Sequence, residues 1–241
     1  MPIVVVANPK GGVGKSTLST HVAGYYASQG HSVMLGDIDR QQSSALWLRL
    51  RPPQARPIRT WDISHDLIAR PPRDTTHVVL DTPAGLHGWR FKDVLKMADK
   101  VLVPLQPSIF DIYATRAFLD ELAETRRSRP MEVGIVGMRV DPRTIAADKL
   151  NEFVASLGLP VLGTLREAGL SEEEANAAMM GAHTSGRGVV RTFPTGGAAD
   201  VAGDDGRGAC ASRTDEAVEM AERLRADLAA ADLLVELERV Y

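Results

Sequence analysis

The run Asn8-Pro9-Lys10-Gly11-Gly12-Val13-Gly14-Lys15-Ser16-Thr17 constrains the fold more than any other part of the chain. An apolar stretch, Ile3 to Ala7, precedes it and a stretch of helical character follows, so it reads as strand, glycine loop and helix start. Glycines in such a loop let successive backbone N–H groups converge on phosphate oxygens, and the helix N-terminus adds positive potential. Lys15 supplies a cation and Ser16 a hydroxyl able to ligate Mg2+, while Gly11, Gly12, Val13, Gly14 and Thr17 complete the cradle. The spacing predicts a nucleoside triphosphate site. A glycine turn without that function has no reason to place a lysine and then a hydroxyl at these two positions.

The general pattern G-x-x-x-x-G-K-[ST] places glycine where this chain has Pro9, and Lys10 adds a second lysine. The run from Lys10 to Thr17 resembles the deviant Walker A motif of the ParA/MinD family of partition and positioning ATPases. The resemblance implies that Lys10 reaches across a nucleotide-sandwich homodimer to the partner's phosphates, as an arginine finger does elsewhere. Three further segments carry the same likeness. His31 to Gln41 resembles the family's second strand and D-x-D-P-Q segment, with Arg40 in place of the proline. Asp39 is thereby expected to orient the attacking water, and Asp37 to lie near the Mg2+ shell. Thr76 to Gly85 resembles a Walker B strand, which makes Asp81 a Mg2+ holder acting through water and makes Thr82-Pro83-Ala84-Gly85 a switch that senses the γ-phosphate. Ala98 to Ser108 resembles the next strand and its proline-rich exit, with a helix expected from about Asp111. Val133 to Arg143 resembles the strand whose end carries an adenine-reading asparagine. Met138 stands there instead, and a thioether lacks the paired donor and acceptor of an amide.

Composition agrees with a single α/β domain. The chain has 241 residues, 44% hydrophobic and 24% charged, with a net charge of -3, so neither disorder throughout nor global basicity is indicated. Its one cysteine, Cys210, forms no intramolecular disulfide, and neither a leader nor a membrane-spanning run is read, which points to the cytoplasm. Apolar runs near 2–8, 32–37, 77–81, 100–105, 132–138 and 160–164 lack polar alternation, as strands buried on both faces do. Helical stretches near 15–29, 43–50, 88–97, 111–128 and 143–157 separate them. The alternation predicts a doubly wound, mostly parallel sheet with helices on both faces. The proline-rich stretch 51–73 is expected to be loop, with an edge strand near Ile58 to Trp61.

The likeness extends to about Arg166, and the ATPase domain is expected to span 1–180. Residues 181–213, rich in Gly, Ala, Arg, Thr and Asp, have the composition of a linker, read either as a divergent replacement or as a frameshift product. Residues 214–241 read as a helix with Thr214 as N-cap and an apolar stripe of Met220, Leu224, Leu228, Ala231 and Val235. Its polar face is acidic rather than basic, which argues against membrane binding and for packing on the core or on a partner.

Three readings of function stay open. The resemblance implies an ATP-dependent dimerisation switch that binds nucleoid DNA non-specifically, hydrolyses ATP with a stimulating adaptor protein, and positions a plasmid, chromosome region or protein cargo. Arg116, Arg126, Arg127, Arg129, Arg139, Arg143 and Arg166 are the candidate DNA contacts. The alternatives are a metabolic ATP-dependent ligase of the same fold and a non-hydrolysing nucleotide-dependent scaffold. The nitrogenase-iron-protein branch is excluded, because one cysteine cannot supply two cluster ligands per subunit.

Overall fold

A computed structural model describes residues 1–63, 70–157, 159 and 161–165. They build a seven-stranded sheet in which every pairing is parallel. In chain order the elements are β1 (Ile3–Val6), α1 (Lys15–Ser28), β2 (Val33–Asp37), α2 (Ser43–Leu50), β3 (Ile58–Trp61), β4 (His77–Asp81), α3 (Gly88–Leu95), β5 (Lys100–Leu105), α4 (Ile109–Ser128), β6 (Glu132–Gly137), α5 (Ile145–Leu157) and β7 (Val161–Thr164). The spatial order is β3-β2-β4-β1-β5-β6-β7. The first four strands fill one side of the sheet out to the β3 edge, and from β4 the chain crosses β1 to build the other side.

Strand pleating sorts the apolar residues into two cores. Val4 and Val6 pack with Leu18, Val22 and Tyr26 of α1 and with Trp47 of α2. Val5 and Ala7 point the other way, into a cluster with Phe91 of α3, Leu119 of α4 and Leu150 of α5. Two helices therefore cover one face and three the other, the doubly wound arrangement expected from the unbroken valine-rich runs. Gly134 permits the close approach of β6 and β7: a Cβ there would lie 2.7 Å from Leu162 Cδ1.

Two helix starts differ from the sequence expectation, each for a capping reason. The helix expected from about Asp111 begins at Ile109, because extended Ser108 ends the preceding loop and its carbonyl accepts the N–H groups of Asp111 and Ile112. The helix expected from 143 begins at Ile145, because Asp141 to Thr144 is spent on a turn. Asp141 Oδ1 accepts the Arg143 N–H at 3.1 Å, and Thr144 Oγ1 accepts the Ala147 N–H at 3.2 Å. The expected linker over 181–213 and helix over 214–241 lie outside the described residues. Among the described residues no helix is long and apolar enough to cross a membrane.

Candidate nucleotide-binding site

At the C-terminal ends of β1, β4 and β5, where the chain reverses its direction across the sheet, doubly wound folds leave a crevice. A cavity of about 290 Å³ lies there, lined by Gly11 through Thr17 together with Asp39, Ala84, Gln106, Met138 and Arg139. Gly12 and Gly14 have φ of 74° and 90°, in the left-handed region that glycine enters without penalty. Helix α1 starts from Gly14 with no side-chain cap and no acidic residue in its first turn, which leaves its N-terminal potential to the cavity. Gln106 Nε2 donates to the Gly12 carbonyl at 3.0 Å and ties the loop to the end of β5.

Lys15 is buried, and its ammonium donates to the Lys10 carbonyl at 2.6 Å. Burial pulls its pKa down, while the negative charges of Asp81 and Asp39 oppose the shift. Asp81, fully buried at the end of β4, takes the Ser44 hydroxyl at 2.6 Å and the Ser19 hydroxyl at 3.2 Å, and Ser16 also donates to it. Burial pushes its pKa up to about 6 despite these three hydroxyls. A buried carboxylate that resists ionisation beside a cluster of hydroxyls is the donor set a hard divalent cation satisfies.

The two aspartates after β2 do different work. Asp37 accepts the Asp39 N–H at 2.9 Å and the Ala45 N–H at 3.1 Å, so its carboxylate serves the first turn of α2; burial is the main cause of its raised pKa. Asp39 accepts the Gln41 N–H and lines the cavity, and Gln42 Nε2 bridges the carbonyls of both aspartates at 2.8 Å.

Lys10 does not line the cavity. Its ammonium lies 3.5 Å from Asp111 of α4, with 40% of the side chain exposed. Asn8 sets the start of that loop: Oδ1 accepts the Lys10 N–H at 2.8 Å, while Nδ2 donates to Pro104 O and Thr115 Oγ1. The segment after β4 is tied to the same loop, since Gly85 N–H donates to Pro9 O at 2.8 Å and Thr82 Oγ1 to Val6 O at 2.8 Å. Met138 lines the cavity wall while packing in the core with Leu102 and Leu162, and Arg139 beside it has a φ of 53°.

The structure thus gathers Gly11, Gly12, Val13, Gly14, Lys15, Ser16, Thr17, Asp39 and Met138 on one cavity, sets Asp37 and Asp81 next to it, and puts Lys10 outside it. Ser19 was readable from the sequence, because it lies three residues after Ser16 on the same helix face. Ser44, Gln106 and Asp111 reach the site from distant segments and left no local signal. Of the described candidate DNA arginines, Arg116 lies within α4, 3.8 Å from Asp120, and the others fall at both ends of the sheet. Arg126, Arg127 and Arg129 precede β6, Arg139 and Arg143 follow it, and Arg143 pairs with Asp141 at 2.8 Å. Arg166 lies outside the described residues. A second, more apolar cavity of about 730 Å³ shares Asp39 and Ala84 and extends over Ile38, Leu86, Trp89 and Met97.

A family model for the CobQ/CobB/MinD/ParA nucleotide binding domain matches residues 4–178. The maintenance of carboxysome distribution protein A of Halothiobacillus neapolitanus is 28% identical over 169 residues, covering 67% of this chain and 77% of that protein. The MinD cell division protein of Aquifex aeolicus superposes with a TM-score of 0.56 at 17% identity, over 69% of this chain and 82% of that one. Cobyrinic acid a,c-diamide synthase of Mycobacterium smegmatis, solved with an ATP analogue and magnesium, gives a TM-score of 0.55 at 18% identity, over 65% of this chain and 80% of that one.

Proposed function

Because the chain belongs to the CobQ/CobB/MinD/ParA nucleotide-binding family, we propose that it is a ParA-like ATPase whose ATP-bound form dimerises, binds DNA non-specifically and is released by hydrolysis. The observation that carries this reading is the contrast between two lysines. Lys15 is buried inside the cradle, whereas Lys10 leaves it for Asp111 with 40% of its side chain in solvent. A cation kept outside its own cradle is available to the cradle of a second copy.

The described residues fit ATP and Mg2+. Loop N–H groups and Lys15 hold the phosphates, and Ser16 with Asp81, the latter through water, would hold the metal. Bound Mg2+ withdraws charge from the phosphate oxygens. Asp37 adds a second negative charge nearby while serving α2. Asp39, on the cavity wall, orients the attacking water, and Lys10 of the second copy neutralises charge that develops on the transferred group. Met138 offers no hydrogen bond to a base, so Gln106 and Arg139 are the polar groups on that wall. DNA contact rests on the exposed arginines becoming continuous across two copies. The relative named for carboxysome distribution supports a cargo-positioning role. A stimulating adaptor and residence at the nucleoid in the cytoplasm, without a membrane partner, complete the proposal.

A second reading, an ATP-dependent metabolic ligase, is supported by the larger cavity beside Asp39 and by the likeness to a diamide synthase. Molecular mass by light scattering separates the two. With ATP and Mg2+, and more so with Asp39→Ala, the mass should double relative to ADP, and DNA binding should then appear only with ATP and weaken with salt. A mass that stays monomeric while nucleotide binds would favour the ligase and remove the switch.

A further inference from the structure

We infer that Asp111 is a latch for Lys10, holding its ammonium in the monomer so that the ATP-dependent dimer forms only by breaking the pair. The inference rests on the proposed role of Lys10 in trans and adds to it the residue that opposes its departure. Asp111 lies in the first turn of α4 with 11% of its side chain exposed, whereas Lys10 has 40%. The unequal burial matters. When Lys10 leaves it enters solvent or a new site, but Asp111 stays in a confined position where an unpartnered carboxylate is unfavourable.

The geometry around the pair is fixed from both sides. The α4 end is set by the Asp111 N–H donating to Ser108 O at 3.0 Å. The loop end is set by Asn8, whose amide grips Pro104 of β5 and Thr115 of α4 and accepts the Lys10 N–H. Backbone and helix therefore hold still while only the Lys10 side chain is free to swing. The Lys10 carbonyl also accepts the Lys15 ammonium, so Lys10 is joined to the cradle through its backbone and to the latch through its side chain. Phosphates that draw the Lys15 ammonium away from that carbonyl would loosen both.

The test compares Asp111→Asn with the parent in dimerisation driven by a non-hydrolysable ATP analogue and Mg2+, followed by sedimentation. The asparagine keeps the shape and removes the charge. One partly exposed ion pair spans about a 1.4- to fivefold effect and the dimer breaks two, so it should tighten about two- to twenty-fivefold, and unstimulated turnover at sub-saturating protein should rise with it. The difference between the two proteins should shrink at high salt, because it is electrostatic. It should also vanish in a Lys10→Ala background. A dimer that Asp111→Asn leaves unchanged or weakens, or a tightening that persists in high salt, would overturn the latch. If Lys10→Ala dimerises too weakly to close the cycle, the salt series alone decides. Failure of the underlying reading shows differently: Lys10→Ala would then turn over ATP like the parent.

Discussion

Asp81→Asn should stabilise the nucleotide-free protein near pH 8 while abolishing its response to Mg2+ and ATP. The carboxylate is fully buried and its pKa is raised from 3.8 to about 6. A shift of about 2 units corresponds to about 3 kcal/mol of penalty on the ionised form. The sign follows from proton counting. Between 3.8 and about 6 the folded state binds more protons than the unfolded one, so stability falls as pH rises through that window, and the full penalty persists above it. The replacement is not free of cost. Ser44 and Ser19 both donate to Asp81, and one of them must reorient against the amide N–H, at about 1 kcal/mol. The net gain near pH 8 is about 2 kcal/mol, or roughly 5 °C in Tm for a domain of this size. By pH 5 the parent has recovered about 1 kcal/mol through protonation, and the variant's advantage should have fallen by half or more. His21, whose pKa burial lowers to about 4 against the opposing hydrogen bond between Nδ1 and Thr17 O, acts in the opposite sense. Its contribution is lost as pH falls from about 6.5, but it is common to both proteins and cancels in the difference. The assay is thermal melting of both proteins at several pH values, with and without Mg2+ and ATP. An Asp81→Asn protein no more stable than the parent near pH 8, or an advantage that does not shrink on acidification, would refute the buried-charge argument.

Three further outcomes are expected. Lys15→Ala should abolish ATP binding as read by a fluorescent nucleotide, and micromolar affinity retained by the variant would sink the phosphate-cradle assignment. Met138→Asn should raise the preference for ATP over GTP in competition binding, by the roughly tenfold or more that one well-placed hydrogen bond contributes; an unchanged ratio would mean the base is read elsewhere. Gly134→Ala should lower Tm by an amount equivalent to about 1 to 3 kcal/mol, because the added Cβ meets Leu162 at 2.7 Å. An unchanged Tm would show that β7 gives way freely.

The fold was legible wherever the signal is local. Strands β1, β2, β4, β5 and β6 are unbroken valine- and leucine-rich runs, and burial on both faces needs no information from elsewhere in the chain. The cradle was legible for the same reason: its backbone turns and both its lysines lie within ten consecutive residues. Contacts that depend on topology were not. Ser44 meets Asp81 because α2 lies over the end of β4, which follows 37 residues later in the chain, and Asp111 meets Lys10 because β5 was laid beside β1. The resemblance placed Asp37 near the metal, yet the structure also engages its oxygens in capping α2, a demand visible only once the start of that helix is fixed.

Pro104 sits in β5, an interior strand, where proline is unusual. The β1–β5 pairing ends at Val6 and Leu102, followed by Ala7 N–H donating to Leu102 O. Residues two apart in a strand face the same neighbour, so the N–H that Pro104 lacks would have pointed toward β1. The proline therefore acts as a zipper stop: the two strands cannot close further, and the Asn8 amide caps the last carbonyl in place of another rung. Pro9, two residues after Ala7, also lacks the N–H that would donate to the Pro104 carbonyl, so two prolines end the ladder at the mouth of the crevice. Pro104→Val would offer the missing donor, and a ladder that grew by one rung would draw the Asn8–Lys10 turn toward β5, narrowing the opening through which a nucleotide enters.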